Sequence, residues 1–299
     1  MTAERALRKV AAVRATGDLL RRWPLPEPSS AGDKVDRGNL LVIAGCDEIP
    51  GAAILAATAA LRAGVGKLTV ATAPSVTHLI AQALPEARVF SVRRLLSGFK
   101  GALNESFDTV LIGPGMSPST STLKLVRAVL PHCARATIVL DAGAIGSMAD
   151  PVAQRALDGS AAASRCIITP HAGEMAKLTG LEKNYIDENS SLVAHRVALS
   201  GRTVVALKGA TTWIATVEKL WFHEGHDVGL ATAGSGDVLA GVIAGLAARG
   251  AGAAQATVWG VVLHAMSGAR LRKRHGLLGL LARELPHEIP AIMETLRRR

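Results

Sequence analysis

The segment Gly234-Ser235-Gly236-Asp237 carries the sharpest chemical signal in the 299-residue sequence. Beyond Asp237 the apolar residues Val238, Ile243, Leu246 and Ala247 follow a helical periodicity, which sets Gly234 to Gly236 at a helix N-terminus. First-turn backbone N–H groups have no partner within their own helix, and with the helix dipole they attract an anion. Glycines there let a phosphate come close to the backbone. A carboxylate beside such a site, here Asp237, can take the proton of an alcohol about to attack a phosphoryl group. The N–H groups then stabilise the charge on the transferring oxygens. The simpler reading is that Ser235 or Asp237 only caps the helix.

Three further segments could share this chemistry. Lys208-Gly209-Ala210-Thr211-Thr212 follows a hydrophobic run and reads as a nucleotide-facing turn, with Lys208 supplying charge and Gly209 close approach. An ordinary hairpin turn between runs at 204–207 and 213–216 would look the same. In Thr169-Pro170-His171-Ala172-Gly173-Glu174, His171 could bind a polar ligand group and Glu174 a metal-bound water. Alternatively, Glu174 is a first-turn helix residue and His171 a satisfied loop histidine. The stretch from Gly45 through Pro50-Gly51-Ala52-Ala53 opens another helix suited to a phosphate or a ligand ring edge. It has no Lys-Ser/Thr after Gly51 and no G-x-G-x-x-G spacing, which disfavours both a P-loop and a dinucleotide dehydrogenase.

These segments need elements to hold them together. Short β-branched runs at 40–44, 67–71, 109–112, 137–140, 166–169, 204–207 and 213–216 predict strands. Stretches at 52–63, 76–83, 120–130, 191–199, 235–248, 253–271 and 282–296 predict helices. The alternation predicts an α/β fold with a mostly parallel central sheet and helices on both faces. Five of these seven strands end in small or chargeable residues: Gly45, Gly113-Pro114-Gly115, Asp141, Pro170-His171 and Lys208-Gly209. Ligands of open α/β sheets bind outside the carboxyl ends of strands, so the coincidence marks a site. Residues 1–38 are expected to be an N-terminal amphipathic helix (1–22) and a Pro/Gly/Ser-containing connection, and 39–299 one domain.

Composition narrows the class. Apolar residues make up 49% and charged residues 19%, the profile of a folded domain with a large core. Aromatics are only 3%, which suits helices packed closely on a sheet and disfavours base-stacking platforms. The net charge of +10 gathers in helix tails such as Arg270, Arg272, Lys273 and Arg274. Solvated faces and attraction of polyanionic nucleotides account for it, and no nucleic-acid partner is expected. Cys46, Cys133 and Cys166 form neither a disulfide framework nor a metal pattern. The uncharged run between Arg249 and Arg270 contains Gln255, Thr257, His264 and Ser267 and reads as a buried helix, not a membrane span. No secretory leader is expected, and a cytoplasmic location is.

Taken in order, LLVIAGCDEIPGAAILAATAALRAGVGKLTVAT, IGPGM, VLDAGAI, ITPHAGEM, VVALKGATT and GLATAGSGDVLAG resemble the ADP/ATP-dependent NAD(P)HX dehydratases, a branch of the ribokinase-like kinases. The resemblance runs from about 33 to 296. It implies repair of hydrated NADH or NADPH: nucleotide-driven phosphorylation of the ring hydroxyl, then elimination of phosphate. It implies Asp237 as the catalytic base contacting substrate and Gly234, Ser235 and Gly236 as the anion hole. Lys208, Gly209, Ala210, Thr211, Thr212 and Gly236 would bind the nucleotide, and Ala52, Gly115 and His171 the hydrated cofactor. Glu174 matches the position supporting Mg2+, and ADP is the donor favoured over ATP.

The resemblance also implies a functional link to a separate NAD(P)HX epimerase, which residues 1–38 are too short to encode. Ala-rich helical faces allow a homo-oligomer. The sequence departs from the family pattern at Gly143, where many members carry a second Asp, at Ala172 in the HPGE-type motif, and across 222–229, which lacks the usual Asn and Pro. The alternatives are a thiazole- or pyrimidine-alcohol kinase of the same superfamily, which should lack the Pro50–Ala53 and His171 segments, and a non-catalytic nucleotide-binding regulator.

Overall fold

The computed structural model describes residues 10–27, 33–97, 106–158, 165–225 and 228–297. Ten strands form one sheet among them: β1 (Ala12–Arg14), β2 (Asn39–Ile43), β3 (Lys67–Thr72), β4 (Arg88–Ser91), β5 (Thr109–Ile112), β6 (Thr137–Leu140), β7 (Cys166–Ile168), β8 (Val204–Leu207), β9 (Thr211–Ala215) and β10 (Leu220–Glu224). Their order is β1-β10-β9-β8-β7-β6-β5-β2-β3-β4. All pairings are parallel except β8–β9 and β9–β10. The five adjacent parallel strands β8, β7, β6, β5 and β2 therefore bring their carboxyl ends to one edge of the sheet. Strand order reverses between β2 and β5, the place where a crevice opens in such sheets, and Gly45 N donates to Pro114 O across it at 2.8 Å.

Each central strand is buried on both sides, as expected where helices cover both faces. Leu40, Val42 and Ala44 point into one core, while Leu41 and Ile43 point into the other. The first core holds helices Gly51–Arg62, Ser235–Ala248, Ala253–His275 and Leu285–Arg297; the second holds Thr120–Val129, Pro151–Asp158, Ala172–Thr179 and Ser190–Gly201. Small residues fix the key helix pair. A methyl added at Gly241 would lie 2.1 Å from Ala56 O, and one at Gly245 would lie 2.7 Å from Ala60 O. Because 241 faces 56 and 245 faces 60, the helices Gly51–Arg62 and Ser235–Ala248 run parallel in near backbone contact, with their N-termini side by side.

The N-terminal segment differs from expectation. The helix expected over 1–22 gives way, among the described residues, to strand β1, parallel to β10, and a six-residue helix at Gly17–Arg22 capped by Thr16. Residues 1–9 lie outside the described residues. Leu20 is fully buried in the first core, and Trp23 stacks on Trp221 with ring centroids 5.9 Å apart. Strands β4 and β10 and the helices at 151–158 and 183–188 were also not foreseen, while the helix Ala172–Thr179 is the one the simpler reading of Glu174 required. The uncharged run becomes the helix Ala253–His275, whose tail residues Arg270 and Arg274 pair with Glu288 at 3.8 and 2.7 Å. Among the described residues no helix is long and apolar enough to cross a membrane. Cys133 and Cys166 are buried, which pushes their thiols up to about 12 and about 11.

Candidate active site

The helix Ser235–Ala248 begins from Gly234, whose φ of +86° is one that L side chains rarely adopt. A Cβ there would also strike Leu55 Cδ1 at 2.4 Å. Ser235 N is already taken by Thr232 O at 3.2 Å, and the first bond into the helix runs from Val238 N to Gly234 O at 3.1 Å. The amides of Gly236 and Asp237 lie between these two, so the anion-attracting donors sit one residue further along than the glycine pattern suggests. Ser235 is buried, and its Oγ lies 2.9 Å from Nε2 of His264.

The charged side chains converge from neighbouring strand ends. Asp141 ends β6 and is buried, accepting the Thr169 hydroxyl at 2.6 Å and Lys208 Nζ at 3.2 Å. Lys208 ends β8, with Nζ 4.0 Å from Glu174 Oε2 and 3.3 Å from where a Gly236 Cβ would stand. Burial works against the Lys208 charge, but Asp141, Glu174 and Asp237 outweigh it and hold its pKa above the ordinary value. Asp237 is half-buried. Its carboxyl is pushed up to about 6, first by burial and then by the Asp141 charge; Lys208 opposes the shift, Glu174 adds to it, and the Gly115 amide favours the ionised form. Three carboxylates thus share one ammonium.

His171 and Glu174 cap the helix Ala172–Thr179 reciprocally. His171 Nδ1 accepts the amides of Gly173 and Glu174 at 3.0 and 3.3 Å, while Glu174 Oε2 accepts His171 N at 2.8 Å. The structural reading of this pair is therefore realised, and it leaves the ring proton on His171 Nε2. Both residues still face the cluster: His171 borders the cavity beside Lys208 and its backbone bridges to that residue, and Glu174 Oε2 lies 4.0 Å from Lys208 Nζ.

A cavity of 680 Å³ opens beside these groups. Lys208, Gly209, Ala210 and Thr212 line it, as do Ser235 and Gly236, with Leu239 and Val261 supplying apolar wall. The 208–212 segment is indeed a hairpin turn, as the simpler reading had it, and it also faces the cavity. Thr211 does not line it, because successive residues of β9 point to opposite sides. Gly115 and Ala52 follow β5 and β2, on either side of the place where strand order reverses. Gly115 has φ +68°, and a Cβ there would meet the Ala52 methyl at 2.5 Å and Ile49 O at 2.9 Å. Ala52 is 2% exposed, so its side chain supports the Gly115 turn from behind. At position 143 a side chain would meet Met116 O at 2.5 Å and Ser117 O at 2.7 Å. The close turn at 116–117 thus occupies the room that a second Asp would need.

Sequence reasoning brought Asp237, Gly236, Ser235, Lys208, Glu174, His171 and Gly115 to one place, and they are together. It did not find Thr169, His223 or His264, nor pair Asp141 with Lys208. His223 and His264 both line the cavity. His264 signals itself only as a lone imidazole in an apolar helix, neutral over the ordinary range because burial pushes it down to about 4. Among the described residues no group of three or more His, Cys, Asp or Glu could hold a metal ion without help.

Residues 40–291 match the protein-family model described as NAD(P)H-hydrate dehydratase. An ADP-dependent (S)-NAD(P)H-hydrate dehydratase of Xanthomonas campestris pv. campestris is 42% identical over 291 residues, 95% of this chain and 96% of that one. The crystal structure of an ADP/ATP-dependent NAD(P)H-hydrate dehydratase from Bacillus subtilis, co-crystallised with ATP/Mg2+, superposes with a TM-score of 0.81 at 32% identity, covering 95% of this chain and 99% of that one. A ribokinase-like superfamily protein from Enterococcus faecalis V583 has the same fold, with a TM-score of 0.82 at 23% identity over 95% of this chain and 96% of its own.

Proposed function

The chain belongs to the NAD(P)H-hydrate dehydratase family, and from that premise we propose that it is an ADP-dependent (S)-NAD(P)H-hydrate dehydratase that returns hydrated NADH and NADPH to their reduced forms. The observation that carries the residue assignment is the half-buried Asp237 carboxyl, set between the Gly115 turn and the Lys208 cluster at the start of a helix. A carboxyl held near 6 is a competent base at neutral pH and is ready to give the proton up again.

In this reading ADP lies in the 680 Å³ cavity, along Lys208, Gly209, Ala210 and Thr212. The hydrated nicotinamide ring lies against the Gly115 turn, which the buried Ala52 backs, and near His171. Asp237 takes the ring hydroxyl proton as that oxygen attacks the terminal phosphoryl group of ADP. The new O–P bond forms as the bond to AMP breaks. The amides of Gly236 and Asp237, with Lys208, stabilise charge on the transferring oxygens. The phosphorylated ring then loses phosphate and a neighbouring proton, which restores the ring double bond.

Around Glu174 stand the Lys208 ammonium at 4.0 Å and the His171 ring at 3.6 Å, with the Asp141 carboxylate beyond Lys208, so the protein offers few carboxylate donors and no closed cage. That suits Mg2+, which keeps waters and takes its remaining ligands from nucleotide phosphates. Glu174 would hold it through water, with Asp141 as the neighbouring carboxylate, and the ion would neutralise phosphate charge. The reading also includes a cytoplasmic reaction, a catalytic unit over 39–299, and supply of the usable epimer by a separate epimerase; these rest on the family resemblance.

The test is restoration of the near-ultraviolet absorbance of the reduced nicotinamide from a hydrated NADH preparation, with Mg2+ and either ADP or ATP. Turnover with ADP exceeding that with ATP is expected. A protein inert on hydrated cofactor with both donors, yet able to phosphorylate a small alcohol, would overturn the reading.

A further inference from the structure

The mechanism above leaves the buried His264 unused. Its Nε2 lies 2.9 Å from Ser235 Oγ and 3.1 Å from Ser235 O, and the ring borders the cavity. A carbonyl oxygen can only accept, so Nε2 carries the proton, and the same N–H reaches Oγ as an acceptor. The Ser235 hydroxyl is then left with its own proton to donate elsewhere, and Ser235 also lines the cavity.

The helix is built to hold the ring there. Gly260 and Gly268 flank His264 by one turn on each side, on the same helix face. A methyl at Gly260 would lie 2.5 Å from Ile243 Cγ1, and one at Gly268 would lie 2.7 Å from Leu230 Cδ2 and Cγ. The two glycines let the helix Ala253–His275 approach both Ser235–Ala248 and the turn before it closely enough for an imidazole to span the gap. An imidazole facing a single serine through both its oxygens, one turn from each close contact, is more than core filling.

We propose that His264 is a positioning residue for phosphoryl transfer: its Nε2–H fixes Ser235 so that the Ser235 hydroxyl donates to an oxygen of the transferring phosphoryl group. The inference rests on the dehydratase reading for its catalytic consequence, but not for its geometry.

The experiment uses the full-length protein in two arms. In the first, nitrogen NMR of the imidazole in the ligand-free protein is expected to find the proton on Nε2 of His264. A bare Nε2 with the proton on Nδ1 overturns the proposal, whatever reaction the protein performs. In the second, His264→Leu and Ser235→Ala are expected to lower kcat on hydrated NADH about 10- to 100-fold, with KM for ADP within about threefold. The double variant should be no worse than either single one, since both remove the same hydroxyl contact. His264→Gln, whose amide N–H reaches about as far as Nε2, should recover most of the lost rate. Multiplying losses, or a Gln variant no better than Leu, would reduce His264 to packing and overturn the proposal. Where His264→Leu fails to fold, His264→Asn, too short to reach Ser235, takes its place in the cycle. Wild-type protein inert on hydrated cofactor, with Nε2 protonated, sinks the dehydratase reading and leaves the positioning contact standing.

Discussion

Lys208 and the buried Asp141 form a partly buried ion pair across the end of β7, Nζ to Oδ1 at 3.2 Å. Thr169, at the end of the intervening strand, donates its hydroxyl to the same Asp141 oxygen at 2.6 Å. Three adjacent strand ends are thereby tied together, and the ammonium is fixed within reach of Glu174 and beside Gly236. Removing it would leave Asp141, Glu174 and Asp237 with no cation among them. Lys208→Met is therefore expected to weaken ADP binding and push Asp237 further up. The acid limb of the kcat/KM profile should move to higher pH, measured by turnover across a pH series beside calorimetric ADP titration.

Wild-type protein should show that limb near 6. Asp237 sits well above the ordinary carboxylate range, pushed up to about 6 by burial and by Asp141, and a base works only when ionised. Activity should climb as pH rises through about 6 and level off above it. Stability has the opposite sign. The folded protein holds this proton more tightly than the unfolded chain, so the contribution is fully present below the ordinary value of 3.8 and is lost as pH rises through about 6. Asp237→Asn should remove that pH dependence from chemical-denaturation curves.

The same Asp237→Asn variant isolates the base from the binding machinery. Its turnover should fall by about 10²–10⁴ while ADP binding is kept or tightened, because one negative charge leaves the phosphate surroundings. Full retention of rate would show that another group removes the proton.

Gly115→Ala tests whether the crevice turn orients the base. The added methyl meets Ala52 Cβ at 2.5 Å on a backbone with φ +68°, so the turn must move and its amide must leave the Asp237 carboxyl. A loss of about 10- to 100-fold in kcat is expected in a protein that still binds ADP. Single-turnover assays with saturating ADP would separate this from weakened nucleotide binding.

Gly241→Ala should act on stability, and through it on the site. Its methyl would stand 2.1 Å from Ala56 O, and backbone cannot yield as a flexible side chain can. The two parallel helices must part, at a cost of about 1–3 kcal/mol, visible as a lowered thermal midpoint. Gly250→Ala is no equivalent control, since its φ of +97° strains any side chain. Gly146→Ala, at an exposed position with open space around the added methyl and no positive φ, should leave the midpoint nearly unchanged.

Local pattern was enough for much of this protein. Buried β-branched runs marked seven strands, and glycines and chargeable residues marked the strand ends that meet in the site. The helix opened by Ser235-Gly236-Asp237 was legible from its period, with the boundaries the structure has. These features depend on residues a few positions apart, where alternation, helical spacing and glycine stereochemistry act directly. Strand β1 was not legible: its three residues are exposed at a sheet edge, pair through backbone and carry no alternation. Nor could spacing separate Thr212, which lines the cavity, from Thr211, which does not, until the strand's orientation was known. The pairings that set the chemistry span long stretches of chain: 67 positions from Asp141 to Lys208, and 29 from Ser235 to His264. Such meetings are decided by strand order and by how closely glycine lets two helices approach, which only the packed chain determines.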